Sequence, residues 1–484
     1  MGENCAASLV VGERAKRRGV PTTFIRFFNA LSRWDLRVWV ERFERTVWAA
    51  TNERARFRRE AAKVLTMKNK QTKLNRRKFL AASASAISAP LFLPGSIFGY
   101  NGGVAPSNKL TTAFVGIGNR GGELLGGFLH NSNYQIVAVC DCWKERVDRA
   151  ANRVNDRYKN DAVAKFHRYE DLLADRDDVD VIVCATPDHW HTKIAIETCM
   201  AGKDIYCEKP LTLTIEESRL IVKAARKYNR VCTGGSQRVM EDYGYMAPIL
   251  QSGAIGEVKE VYCGLGNPPK YCYLPEQPIP EGLDWDRWQG QAPVAPFNSE
   301  RCSGNYGGGW RNYGEYCTGF LADWGAHKFG GAMYCLGVDK EEPVELYPAG
   351  YEGCEYVCAV YKNGVRFYHA WNGPHDVTFK GTEGEYRHHQ TKMNPLKAVD
   401  VRRYSGGARN IADDFAFCVR NRLRPFQDFE YAAATATLCQ MMAICHKVKR
   451  PLKWDAEKMV FVGDQEATRM VSRVQRYPYT IPEV

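Results

Sequence analysis

From Lys109 onward, apolar runs alternate with stretches of helical period. "LTTAFVG" is a short apolar run, "NRGGELLGGFL" continues as a helix, and "QIVAVCD" is a second apolar run. "VDVIVCATPDHWH" is a third, apolar until Thr186-Pro187 stops it. Runs that are apolar at consecutive positions fit strands buried on both faces, as in a parallel sheet covered by helices. The helix "TKIAIETCMAGK" and the run "DIYCEKPLTL" follow, and Pro210 ends that strand by removing an N–H donor.

Beyond residue 236 the pattern changes. "KEVYCGLG", "VELYPAG", "YVCAVYKNGVRFYHAW" and "DVTFKGTEGEYRHH" predict strands, with a hairpin turn at Asn363-Gly364. "ARNIADDFAFCVRNRL" and "YAAATATLCQMMAICHKV" carry helical period and are expected to pack back on the first half. Between Gly264 and Gly309, Pro and Gly mark a connection long enough to be functional. The expected class is α/β, with a nucleotide domain over 109–235 and an α/β domain over 236–484.

Charge separates a third region. Residues 1–108 hold 20 Lys/Arg and 7 Asp/Glu, whereas the rest holds 47 and 48, so the net +12 of the chain is an N-terminal property. A nucleic-acid footprint on the globular part is therefore not expected. "NRRKFLAASASAISAPLFLPGSIFG" resembles a twin-arginine export signal, with Arg76 and Arg77 before a modest apolar stretch too interrupted to span a membrane. Met67 opens that segment, so residues 67–108 are expected to be signal and linker, and 1–66 a non-native or disordered basic extension. Export through the twin-arginine route is the expected localisation, with no stable membrane insertion. Seventeen cysteines are present. Cys140, Cys184, Cys207 and Cys232 sit in apolar runs, no CxxC pair occurs and no Cys/His spacing suits zinc, so buried free thiols and no metal are expected.

Chemistry enters at the first turn. Gly116-x-Gly118-x-x-Gly121, in "GIGNRG", follows a strand and opens a helix, and Asp141 ends the next strand about 25 residues later. Gly116 permits the tight turn, Gly118 lets a pyrophosphate approach, and Gly121 lets helix and strand pack closely, with the helix N-terminus facing the phosphates. Ile117, Asn119 and Arg120 belong to the same turn. Asp141 favours NAD by accepting from the ribose 2′-OH, while Arg146 nearby could hold the 2′-phosphate of NADP. Thr186, Pro187, His189, His191, Glu208 and Gln237 are expected beside this cofactor, and Lys209 at the carboxyl end of its strand is expected to point at the nicotinamide. Asp323 and His327, in "ADWGAH", are four apart and share a helix face. Histidine can accept a hydroxyl proton, an aspartate can orient its ring, and Lys209 can stabilise the developing alkoxide. Trp285, Trp288 and Trp310 are candidates for stacking on sugar rings.

"GIGNRG", "ATPDHWH", "CEKPLTLT", "GLDWDRWQGQAP" and "ADWGAH" together resemble the Gfo/Idh/MocA oxidoreductases, from about Lys109 to the C-terminus. The likeness is strongest to exported members described as NADH-dependent dehydrogenases. It implies a Rossmann domain, then an α/β domain with a large, mostly antiparallel sheet that often joins subunits into a homo-oligomer. It also implies Lys209 as the catalytic lysine and Asp323 with His327 as the acid/base pair. Many relatives carry an Asp three positions after this histidine, where this chain has Gly330. The implied activity is NAD(P)-dependent oxidoreduction of a sugar, polyol or sugar derivative. A redox glycosidase or lyase without net NADH release is the alternative, although relatives of that kind usually lack the lysine. A nucleotide-bound sensor is the third reading, and an intact Lys209/Asp323/His327 set speaks against it. Export would leave free NAD(H) scarce, so the cofactor is expected to be loaded beforehand and to stay tightly bound.

Overall fold

The computed structural model describes residues 108–484 apart from 304–307, 371–376 and 390. The twin-arginine pattern, Met67 and the basic extension lie outside the described residues. Among the described residues, no helix is long and apolar enough to cross a membrane.

The first half alternates strand and helix: β1 Leu110–Val115, α1 Asn119–His130, β2 Tyr134–Cys140, α2 Lys144–Tyr158, β3 Ala164–Phe166, α3 Tyr169–Asp175, β4 Val181–Cys184, α4 Asp188–Met200, β5 Asp204–Cys207, α5 Ile215–Lys227 and β6 Cys232–Gly234. The strands form one parallel sheet in the order β3-β2-β1-β4-β5-β6. This is the doubly wound order of a Rossmann fold, in which the crevice opens where β1 separates β2 from β4. Register then fixes what meets at that crevice. Val115 pairs with Cys140 and Cys184, and Cys184 with Cys207. The residues just beyond those pairs, Gly116, Asp141, Thr186 and Lys209, are therefore carried to one rim. Val181–Cys184 and Asp204–Cys207 are buried at every position, as the apolar runs predicted.

The second half builds a sheet of eight strands. They are β7 Val258–Gly264, β8 Glu345–Tyr347, β9 Val357–Val360, β10 Arg366–Ala370, β11 Val377–Gly381, β12 Glu385–Arg387, β13 Leu452–Asp455 and β14 Val460–Phe461. The order is β12-β11-β7-β10-β9-β8-β13-β14, antiparallel except where β10 runs parallel to β7. β9 and β10 form the hairpin predicted at Asn363-Gly364. Gly364 takes φ +84°, and the Asn363 side chain accepts from the Val365 N–H at 3.1 Å.

Helices weld the two halves. α6 Arg238–Glu241, α7 Trp285–Gln289 and α8 Gly319–Leu336 precede the long C-terminal pair α9 Ile411–Asn421 and α10 Phe429–Val448. Asn410 caps α9 by accepting from the Asp413 N–H at 2.9 Å, and Ile411, Phe415 and Cys418 pack under the parallel sheet with Phe114 and Tyr206. α10 is buried on nearly every side. Phe429 and Ala432 join the parallel sheet's core, while Leu438, Met441 and Cys445 join the core of the second sheet. A helix apolar all round sits between two layers. The described cysteines are all free thiols, and all but Cys142 are buried.

Candidate active site

A cavity of about 390 Å³ runs along the carboxyl rim of the parallel sheet. Its cofactor end is shaped by backbone. Gly116 takes φ +83°, and a Cβ there would stand 2.7 Å from the Thr186 backbone nitrogen. A Cβ on Gly121 would lie 2.1 Å from the Gly116 carbonyl oxygen, so α1 is seated directly on the turn. At Gly118 a Cβ would meet only the Arg146 guanidinium, 3.6 Å away, so this face is open to a ligand. Gly118 also gives the first turn of α1 no side-chain acceptor, leaving the helix N-terminus to an anion.

Asp141 is buried, with Oδ2 accepting from the Ile117 N–H at 2.7 Å and Oδ1 from the Trp143 N–H at 2.9 Å. It ties the glycine turn to the start of α2 while still bordering the cavity, and a carboxylate bonded in this way keeps lone pairs for a hydroxyl donor. Arg146 lies over the Trp143 ring at 4.8 Å. Thr186 and Pro187 close the opposite wall, and Asn119 and Arg120 the entrance to α1. An open glycine face, a helix N-terminus and a buried carboxylate together fit a dinucleotide.

Gly121 packs under the turn, as its expected role in seating the helix requires. Three other residues named with the cofactor stand behind the wall instead. Ile117 packs into the core. His189 is fully buried; its Nε2 meets the Trp288 carbonyl at 3.1 Å and its ring packs against Trp288 and Tyr316. Burial, and then Arg473, pushes its pKa down to about 3, so it stays neutral. His191 bridges two carbonyls, Pro210 at 2.8 Å and Thr186 at 2.9 Å, and so ties the turn after β4 to the turn after β5. Cys184, His191 and Cys207 offer ligand atoms within 4.8 Å of one another, and both His191 nitrogens also lie against carbonyl oxygens.

The reacting end is assembled from distant segments. Glu208 is buried and accepts from Arg120 Nε at 3.0 Å, which fixes the turn that carries Lys209. Lys209 Nζ donates to the Asp323 carboxylate at 2.8 Å and to the Asp323 carbonyl at 3.1 Å. Arg311 Nε reaches the same carboxylate oxygen at 3.3 Å, with its guanidinium 4.3 Å over Trp310. Burial works to raise the Asp323 pKa, but Lys209 and Arg311 outweigh it and hold the carboxyl below the usual range. One turn along α8, His327 borders the same cavity, buried, with Nδ1 lacking a hydrogen-bond partner among the described residues. Burial, then Lys209, Arg238 and Arg120, drives its pKa well below 6.5.

The helix-face expectation for Asp323 and His327 therefore holds, while the expected ring-orienting bond does not form. Asp323 is committed to Lys209 and Arg311. Gly330 does not border the cavity, since a Cβ there would meet Val239 at 3.1 Å and Thr435 at 3.3 Å, leaving no room for a carboxylate. Gln237 does border it, and its Oε1 is buried without a partner among the described residues. The tryptophans divide. Trp285 and Trp288 stack on each other at 5.0 Å, and Trp285 Nε1 donates to the Ala295 carbonyl, so they form a structural pair rather than a sugar platform. Trp310 borders the reacting end. Trp324, not singled out from the sequence, does so too, 40% exposed and 6.1 Å edge-on from the His327 ring. Arg311 was also missed, because a lone arginine in "GWRNYGEY" carries no spacing signal. Trp324 had one, lying between Asp323 and His327.

Residues 110–236 match the oxidoreductase family's NAD-binding Rossmann fold, and residues 270–481 match its C-terminal alpha/beta domain. A protein of Shewanella sp. (strain MR-4), named glycosyl hydrolase family 109 protein 1, is 31% identical over 189 residues, 37% of this chain and 39% of that protein. A glycosyl hydrolase family 109 protein of Shewanella baltica (strain OS185) is 28% identical over 209 residues, 38% of this chain and 44% of that protein. The chain thus matches less than half the length of these relatives. Among solved structures, GenD2 from gentamicin A biosynthesis in complex with NAD shares 18% identity at TM-score 0.50, covering 73% of this chain and 99% of that one. The myo-inositol 2-dehydrogenase of Lactobacillus plantarum shares 17% at TM-score 0.49, covering 71% and 99%. At that score the fold is shared with GenD2.

Proposed function

The chain belongs to the Gfo/Idh/MocA oxidoreductase family, and from that premise we propose that it is an NAD(P)-dependent oxidoreductase acting on a hydroxyl-bearing carbon of a sugar, polyol or sugar derivative. One observation carries the reading. Lys209, Asp323 and His327, from segments more than a hundred residues apart, border one cavity whose other end is the glycine turn. When bound, the nicotinamide supplies the hydride acceptor or donor.

The protein's own groups supply the rest. Among the described residues, Lys209 spends two N–H groups on Asp323, which leaves the third for a substrate oxygen. An ammonium aimed there stabilises the negative charge that grows as the hydroxyl proton leaves. His327 is held neutral, so it has a lone pair to accept that proton. Arg311 and Lys209 keep Asp323 ionised, and Asp323 in turn keeps Lys209 in place. Gln237 and Trp324 line the space a sugar ring would occupy. Asp141 supports NAD as the preferred cofactor. Export through the twin-arginine segment and assembly through the second sheet are parts of the same proposal.

The relatives named as glycosyl hydrolases favour a second reading, in which transient oxidation at a ring carbon assists glycoside cleavage without net NADH. The presence of Lys209 ranks it below the first. A panel of sugars, polyols and glycosides, scored both for NADH and for product without it, separates the two. Turnover of none of them, with NAD+ bound, would leave the sensor reading.

A further inference from the structure

Segment 282–290 belongs to the second half of the chain yet lies across the cofactor end of the cavity. Lys144 N–H donates to the Gly282 carbonyl at 2.9 Å, and Asp284 N–H donates to the Cys142 carbonyl at 3.0 Å. Both anchor points flank Trp143, immediately after the ribose-side Asp141. From the other wall, His189 Nε2 and Trp190 Nε1 each meet the Trp288 carbonyl at 3.1 Å. Arg287 pairs with Glu170 at the start of α3 at 2.9 Å. The C-terminal segment then braces the outside. Tyr479 Oη donates to Asp286 at 2.8 Å, and Arg476 Nε donates to the Gly290 carbonyl at 3.0 Å. Gly290 is seated on the Trp190 indole, where a Cβ would stand 2.5 Å away. Arg287 and Trp288 face inward and border the cavity beside Tyr169 and Trp190.

We propose that segment 282–290 is a strap closed over the adenosine end of the dinucleotide site, so that a bound nucleotide leaves only when the strap lifts. The proposal rests on the dinucleotide reading of the cavity. The strap crosses from the turn after β2, where the ribose-binding acid sits on this fold, to the start of α4 at the carboxyl rim of the sheet. Its anchors are hydrogen bonds and one half-buried ion pair, from four separate segments. Release then requires several of them to break together, whereas a substrate at the Lys209 end has no need to pass beneath it. The strap also explains His189, whose ring holds the strap rather than the cofactor.

The test uses the purified full chain loaded with NAD+ and chased with isotope-labelled NAD+, with bound label followed over time. E170A and D286A each remove an anchor, and neither residue borders the cavity. Slow exchange in the wild type, accelerated at least tenfold in both variants at unchanged circular dichroism, is the expected result. Wild-type exchange complete within the mixing time overturns the strap while leaving the dinucleotide site intact, and does so whether or not the variants fold. Variants that fold and exchange at the wild-type rate overturn it equally. A chain that binds neither NAD+ nor NADP+ overturns both readings.

Discussion

The two ends of the cavity are built by different means. At the cofactor end the fit is made by backbone: three glycines, a helix N-terminus and one carboxylate, all within residues 116–141. At the reacting end every contributor is a side chain, and they come from positions 209, 237, 310, 311, 323, 324 and 327. A backbone cradle tolerates drift in its surroundings, because the turn carries its own geometry. A side-chain constellation depends on the packing of α8 against the first half, so one misplaced partner disturbs all the others.

That contrast orders the expected effects. Lys209→Ala and His327→Ala are each expected to lower turnover about a thousandfold while NAD+ affinity, measured by titration, stays within a few-fold of wild type. A joint loss of cofactor binding would mean that the two ends are not separable. Gly116→Val reverses the pattern. A side chain at φ +83° and 2.7 Å from Thr186 is expected to weaken NAD+ binding about a hundredfold or more, an estimate of order 2–3 kcal/mol for backbone strain.

Arg311→Gln sharpens the reacting end. Arg311 is one of the two cations that hold the Asp323 carboxyl down against its burial, so removing it raises that pKa. Activity that needs ionised Asp323 is then lost at a higher pH on the acid side, with kcat/KM reduced about tenfold at neutral pH. A pH–rate profile checks the shift, and an unmoved acid limb would remove Arg311 from the account.

The smallest effect concerns stability. Burial holds His189 and His369 at about 3 and His446 at about 4. Depressed in the folded state, these groups leave stability intact above the unfolded value of about 6.5, and it falls as pH drops below that, because the unfolded chain binds the extra protons. Urea midpoints at pH 7.5 and pH 5 should therefore differ, with the lower midpoint at pH 5.

The same contrast decides what could be read before the structure. The parallel sheet and the glycine turn were legible, because their signals lie within a few residues: apolar runs, Gly116-x-Gly118-x-x-Gly121, and Asp141 at the next strand end. The hairpin at Asn363-Gly364 and both C-terminal helices were legible for the same reason. The reacting end was only partly so. Lys209, Asp323 and His327 were named through strand position, helix spacing and family likeness, but the partnership came out differently, with Asp323 on Lys209 and not on His327. Spacing of four places two side chains on one face without deciding which neighbour each will bond. His189 was read as cofactor-facing because it is polar beside a motif, and Trp288 as a sugar platform, although it borders the cofactor end. The strap that joins them depends on contacts between residues about a hundred apart, which no local pattern encodes.

The most direct test of the central claim is a crystal structure with NAD+ and a turned-over sugar or polyol bound. The account predicts Lys209 Nζ and a ring nitrogen of His327 both within hydrogen-bond reach of one substrate oxygen, with that oxygen's carbon facing the nicotinamide. Either side chain directed away from that oxygen, or a substrate seated beside the strap and not beside Lys209, would contradict it.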